Sequence, residues 1–230
     1  MGSLFNESII RPIFNLLMIL YNWIPGADFG VSIIVLTLVI RVIMSPIMIR
    51  TQKAQRQLGA LNPKLKELKE KHKDNPTAQS EAIMKLYKEH NINPLSGCLP
   101  LLLQIPIIIG LYQALLAGFK PESLSMLYGF VDNPGSINTL SFGFLDVTMR
   151  NSFLAGITGA VQFIQGKLSV NAQTTDPSPT ARALNTQLLY FFPIMVVFIT
   201  WRLPAGLGLY WITTTLFSIG EQLYIKYRST

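Results

Sequence analysis

Residues 29–49 contain a single charged side chain, Arg41, in a run that is otherwise almost wholly apolar. At about 1.5 Å per helical residue this is enough to cross a hydrocarbon core of about 30 Å. An arginine inside such a run costs at least a few kcal/mol to place in lipid, so it is read first as a functional position. Four further apolar runs follow at 97–117, 152–168, 184–201 and 205–225. The chain is therefore expected to be an all-α polytopic membrane protein of five transmembrane helices. Its composition agrees: charged residues make up 13%, against about 25% in soluble domains.

The remaining segments fall between these spans. Residues 4–24 are interrupted by Glu7, Arg11, Asn15 and Asn22, spaced so as to form one polar stripe on a helix. They are expected to form an amphipathic helix lying in the interface. Met1-Gly2-Ser3 reads as an added opening, and no basic–apolar–small leader precedes the fold. That leaves room for a processed targeting segment upstream. Residues 50–96 are expected to form an antiparallel helical hairpin. Leu58, Leu61, Leu65 and Leu68 make its seam, Asp74-Asn75-Pro76 reverse the chain, and Ile83, Leu86 and Tyr87 form the returning face. An outer loop at 118–151, a loop at 169–183 and a short tail at 226–230 complete the plan. The lone Cys98 permits no intrachain disulfide and is read as a packed small residue.

Orientation follows from where the basic residues lie. Ten of them fall in residues 50–96. If the five spans alternate, Lys167, Arg182, Lys226 and Arg228 share that side, while Arg11, Lys120, Arg150 and Arg202 lie opposite. Positive charge is retained in the cytoplasm, which sets the N-terminus outside and the C-terminus inside. The lysines of the hairpin suit ribosomal RNA or anionic headgroups, or serve only as a solvated, positively biased face.

Arg41 lies near mid-membrane, and its side chain leans toward the outer start of its helix, away from the nearer cytoplasmic surface. It therefore needs a counter-ion or a wet cavity. Glu221, about one helical turn nearer the cytoplasm, is the candidate counter-ion, and a buried Arg41–Glu221 pair is the structural alternative. Polar side chains suited to line a cavity are Thr37, one turn before Arg41, together with Gln104, Gln162, Trp211, Thr214, Thr215 and Ser218. Both histidines, His72 and His90, fall in the hairpin, so no buried base, carboxylate pair or metal cluster points to an enzyme. No metal or other cofactor is expected.

Several ordered motifs resemble a known family. They are Ile34-Val35-Leu36-Thr37-Leu38-Val39-Ile40-Arg41-Val42-Ile43-Met44-Ser45-Pro46, then Asn62-Pro63-Lys64-Leu65-Lys66-Glu67-Leu68 in the basic hairpin, then Asn93-Pro94-Leu95-Ser96-Gly97-Cys98-Leu99-Pro100 with Gln104-Ile105-Pro106 and Leu111-Tyr112, and finally Leu203-Pro204-Ala205-Gly206-Leu207 and Leu209-Tyr210-Trp211. Together they look like the YidC family of membrane protein insertases, related to the mitochondrial Oxa and chloroplast Alb proteins. The resemblance implies a bacterial plasma-membrane protein with a five-helix core and a groove open to cytoplasm and lipid but closed outside. Arg41 and Thr37 fall on its groove positions, Trp211 on its aromatic or polar position in the last helix, and Gln104 and Gln162 on polar positions. The large outer domain of Gram-negative members and an N-terminal lipoprotein cysteine are absent from the sequence, and the tail after Ile225 is short.

The expected function is insertion of membrane proteins without enzymatic chemistry. Nascent segments with short or acidic outer tails enter from the cytoplasm, Arg41 draws the tail into the groove, and the apolar part leaves laterally into the bilayer. Expected partners are nascent membrane proteins, lipid and, through the basic hairpin and tail, the ribosome and Sec translocon; DNA is not among them. The alternative is a small-solute or anion transporter with Arg41 as its binding site, against which stand five spans and no visible inverted repeat. A scaffold would tolerate a neutral residue at position 41.

Overall fold

A computed structural model describes residues 3–90, 93, 99–118, 121–171 and 186–228. Their helices, in order, are α1 (Arg11–Trp23), α2 (Phe29–Ala60), α3 (Asn62–Lys71), α4 (Pro76–Glu89), α5 (Leu99–Gly118), α6 (Ser152–Asn171), α7 (Phe192–Arg202) and α8 (Ala205–Arg228). Wider π-helical turns, Asn6–Ile10 and Gln187–Phe191, lead into α1 and α7. Two short strands, β1 (Leu140–Ser141) and β2 (Leu145–Asp146), pair antiparallel between α5 and α6. Cys98 and the expected loop beyond Asn171 lie outside the described residues.

Local chemistry sets the boundaries. Asp28 caps α2 by accepting the Val31 N–H at 3.0 Å, after a turn in which Gly26 and Ala27 both take positive φ. Asn75 caps α4 by accepting from Ala78 N at 3.1 Å, with Pro76 at the first helical position. The helix expected to end at Ile49 does not: α2 continues through Pro46 and through residues 50–60 to Ala60. Residues 50–60 are mostly good helix formers, with a glycine only at position 59, so nothing ends the helix where the apolar run does. The basic segment thus begins as an extension of α2. The short α3 and α4 pack through Leu61 and Leu86, flanked by Leu58, Leu65, Leu68 and Tyr87, and Gln79 Nε2 donates to Lys69 O at 2.9 Å.

The polar stripe of α1 faces protein. Asn15 is 1% exposed, donating to Met126 O at 3.0 Å and accepting from Tyr128 N at 2.6 Å. Arg11 Nε also donates to Met126 O, and Asn22 to Asp132 O. The loop backbone at 126–132 has polar groups that need partners, and the stripe supplies them. Glu7, at the exposed end of the stripe, pairs with Arg11 at 2.9 Å. The adjoining side of α1 (Phe14, Leu17, Met18, Tyr21) is buried against α2 and α5.

One apolar core gathers at the end of the molecule where α2 and α8 begin. It joins the α1 residues to Phe29, Ile33 and Leu36 of α2, Leu111 and Leu115 of α5, Val147 of the loop and Leu207 and Tyr210 of α8. Backbone and side-chain bonds close this end. Ala205 N donates to Met149 O, Gly206 N to Val147 O and Asn138 N to the Tyr21 hydroxyl. Gly30 N meets Ser141 Oγ at 2.6 Å; a Cβ at Gly30 would stand 2.6 Å from that oxygen, so only glycine allows the approach.

Away from that core the helices are built inside out. Val42, Ile43, Leu102, Ile157, Ile194 and Leu216 are exposed, whereas Thr37, Arg41, Thr158, Gln162, Thr200, Thr213, Thr214, Thr215, Ser218 and Glu221 are buried. Among the described residues α2 is the helix long and apolar enough to cross a membrane, with a mean hydropathy of 2.4 over its most apolar window; Leu102–Ala117 and Leu189–Arg202 are shorter apolar stretches.

Candidate functional site

Below the apolar core, the buried side of α2 changes from Phe29, Ile33 and Leu36 to Thr37 and Arg41. That of α8 changes in step, from Leu207 and Tyr210 to Thr213, Thr214, Thr215, Ser218 and Glu221. α8 packs on both α2 and α6, so its polar residues divide between two neighbours.

On the α2 side, Arg41 is 9% exposed. Its Nη2 donates to Gln104 Oε1 at 3.3 Å and its Nε to Thr214 Oγ1 at 3.5 Å. Gln104 in turn donates through Nε2 to the Tyr210 hydroxyl. The guanidinium thus spans α2, α5 and α8, and its hydrogen-bond partners among the described residues are neutral. Thr37 lies on the same face, but its hydroxyl donates to its own helix at Ile33 O, 2.6 Å away. Thr213 and Thr215 likewise donate to carbonyls four residues back, which lets a threonine be buried at little cost.

On the α6 side, Gln162 Oε1 accepts from Trp211 Nε1 at 3.1 Å and from Thr215 Oγ1 at 3.4 Å. Its Nε2 donates to Gln165 Oε1 at 2.6 Å. Farther along, Gln222 Nε2 donates to Ser169 Oγ at 2.9 Å. The site residues read from the sequence are thus all buried or half-buried, but they form two groups. Tyr210 and Thr214, four apart, face Arg41; Trp211 and Thr215, also four apart and turned by about 100°, face Gln162. Ser218 is buried between them on α8 without a hydrogen bond to Arg41 or Gln162 among the described residues.

Glu221 is 7% exposed. Its Oε2 accepts from Gln52 Nε2 at 3.4 Å, and its Oε1 has no hydrogen-bond donor among the described residues. It stands two turns beyond Thr214, about 10 Å along the axis, and among the described residues it makes no ion pair with Arg41. On α8 the hydrogen-bond partner of Arg41 is Thr214 rather than Glu221. Tyr210 was not anticipated. Its signal was the four-residue step to Thr214, masked because a tyrosine in an apolar helix reads as an interfacial aromatic. Among the described residues no three His, Cys, Asp or Glu side chains come together as a metal site would require.

Fold and cluster define an all-helical membrane protein whose polar side chains turn inward around one arginine. The family described as 60Kd inner membrane protein matches residues 19–230. The chain is 33% identical over 201 residues to a membrane protein insertase YidC of Fusobacterium nucleatum subsp. nucleatum, covering 86% of each chain. It is 34% identical over 205 residues to membrane protein insertase YidC 2 of Listeria innocua, covering 87% of this chain and 65% of that one. It is 36% identical over 219 residues to a membrane protein insertase YidC of Ectopseudomonas mendocina, covering 94% of this chain and 34% of that one. The chain belongs to the YidC family of membrane protein insertases. It spans most of the Fusobacterium protein but only about a third of the Ectopseudomonas protein.

Proposed function

We propose that the protein inserts nascent hydrophobic segments into the bacterial plasma membrane, with Arg41 as the docking point for the polar or acidic tail that must cross. In this reading α2, α5, α6, the helix formed by 187–202 and α8 are the five spans, with the N-terminus outside and the C-terminus in the cytoplasm. The apolar core closes the outer end, and the polar side chains of α2, α5, α6 and α8 line a groove reached from the cytoplasm. Carrying a charged tail across hydrocarbon is the costly step. A fixed cation partway across lowers that cost, and burial of the apolar segment in lipid at about 25 cal/mol per Å2 drives release. The membrane potential adds about 2.3 kcal/mol per charge per 100 mV in the direction that favours an acidic tail. Nascent chains are the substrates; the ribosome and the Sec translocon are partners proposed for the basic surface of α3 and α4. No nucleotide or metal takes part in this scheme.

One observation carries the proposal. Arg41 is buried, yet its hydrogen-bond partners among the described residues are the neutral Gln104 and Thr214. A structural ion pair would spend that charge on a carboxylate; here it remains available to an incoming anion. The test is insertion of a single-span protein with an acidic tail, in cells depleted of their own insertase. Arg41→Ala is expected to abolish most insertion and Arg41→Lys to retain more. Full insertion by Arg41→Ala, at wild-type protein levels, would overturn the reading.

A further inference from the structure

The turn joining β1 to β2 presents two phenylalanines outward. Phe144 is 80% exposed and Phe142 43% exposed, and their rings touch at a centroid distance of 6.3 Å. The turn has positive φ at Phe142 (+54°) and Gly143 (+77°). Hairpin turns of this kind favour Asn-Gly, because asparagine tolerates the left-handed region and a bulky ring does not. Phe142 therefore sits in backbone that suits it poorly, with its ring turned to the outside. Strain of this kind persists where the surroundings hold it and a function uses it.

The surroundings do hold it. Phe142 N donates to Asp28 Oδ2 at 2.7 Å, and Val31 N donates to the other oxygen of the same carboxylate. Ser141, immediately before the turn, receives the Gly30 N–H. The two rings are thus fixed to the first turn of α2, at the level where the apolar span begins. Met149 and Phe153, where α6 begins, are also exposed, and the apolar face continues along α6 through Ile157 and Ile164. The phenylalanine turn is tied to the start of that face through Asp146 O, which accepts from Met149 N.

We propose that residues 142–144 are an interfacial anchor, seated at the headgroup–acyl boundary of the outer leaflet. This rests on the orientation given above. Aromatic rings gather at that boundary, and the exposed apolar side chains of α6 below it make lipid, rather than another protein, the occupant. Because the turn is stapled to Asp28 and Gly30, it fixes how deep α2 sits, and therefore the depth of Arg41, about 18 Å farther along the helix.

The test uses the full chain in vesicles of phosphatidylethanolamine and phosphatidylglycerol. A nitroxide is placed at Phe144→Cys in a Cys98→Ser background, with labels at exposed Ser136 and Ile43 as aqueous and lipid references. Collisions with oxygen are expected to exceed those with a water-soluble nickel chelate several-fold at 144 and at 43, with the reverse at 136. The depth at 144 should be shallower than at 43. Phe142→Asn, which suits the left-handed backbone, is expected to lower the oxygen-to-nickel ratio at 144 by removing one ring. A nickel-rich signal at 144 would place the turn in water and overturn the anchor. Low access to both reagents with spin–spin broadening would mean that a second copy covers it, which also overturns it. Either result leaves the insertion assay at Arg41 unaffected, so the two proposals fail separately.

Discussion

Arg41 rests against the side-chain oxygen of Gln104, 3.3 Å away, so the cation buried between α2 and α8 is met by an amide and not by an acid. This contact has a direct consequence if the charge is kept for clients. Gln104→Glu would place a carboxylate where the amide oxygen now sits, and the Tyr210 hydroxyl can turn to donate to it. The variant is expected to fold with undiminished thermal stability and to lose insertion of acid-tailed clients to the level of Arg41→Ala. Wild-type insertion by a properly folded Gln104→Glu protein would show that clients do not use the charge of Arg41.

Asn15 carries the joint between α1 and the loop at 126–132. Asn15→Ala takes one of two donors from Met126 O, which keeps that of Arg11, and leaves Tyr128 N without its acceptor in a part-buried setting. The expected loss is about 1–3 kcal/mol for the amide left unsatisfied, read as a lowered unfolding midpoint in detergent. Asn15→Asp retains the acceptor for Tyr128 and is expected to lose less. Equal losses in both variants would show that the contact with Tyr128 contributes nothing.

The staple between Asp28 and the phenylalanine turn is expected to depend on pH. Burial alone would raise the Asp28 pKa, but hydrogen bonds from Phe142 N and Val31 N, with smaller contributions from Ser141 and Gly30, together outweigh it and hold the group below its usual 3.8. A carboxylate with a depressed folded pKa contributes its stabilisation above the unfolded value and loses it as pH falls through the folded one. The difference in unfolding midpoint between wild type and Asp28→Asn should therefore be constant above about pH 5 and shrink below 3.8. A difference that does not change with pH would mean that the charge of Asp28 plays no part.

Much of this was legible in the sequence because membrane insertion constrains composition so strongly. The apolar runs and the isolated Arg41 stand out without any knowledge of packing. What was not legible concerns neighbours. Asn15 reads as part of the polar stripe of an interfacial helix, because spacing shows which residues share a face, not what the face meets; it meets backbone from a loop more than a hundred residues later. Trp211 and Thr214 looked like one lining, but a helix in contact with two others turns successive positions to different partners, and the step from 210 to 211 decides which. The end of α2 was misplaced for a related reason. Hydropathy marks where lipid stops, and at Ile49 the backbone has no cause to stop with it.

That unbroken α2 has a mechanical consequence. At about 1.5 Å per residue its 32 residues run roughly 48 Å, tied to Ser141 and Asp28 at one end, to α8 through Gln52 and Arg56 farther along, and joined at the other end, through Leu61, to the basic pair α3 and α4. Pro46, between Arg41 and those bonds to α8, removes one backbone hydrogen bond from the helix. A push on α3 and α4 is therefore expected to be taken up at Pro46 and at the bonds to α8 before it reaches Arg41.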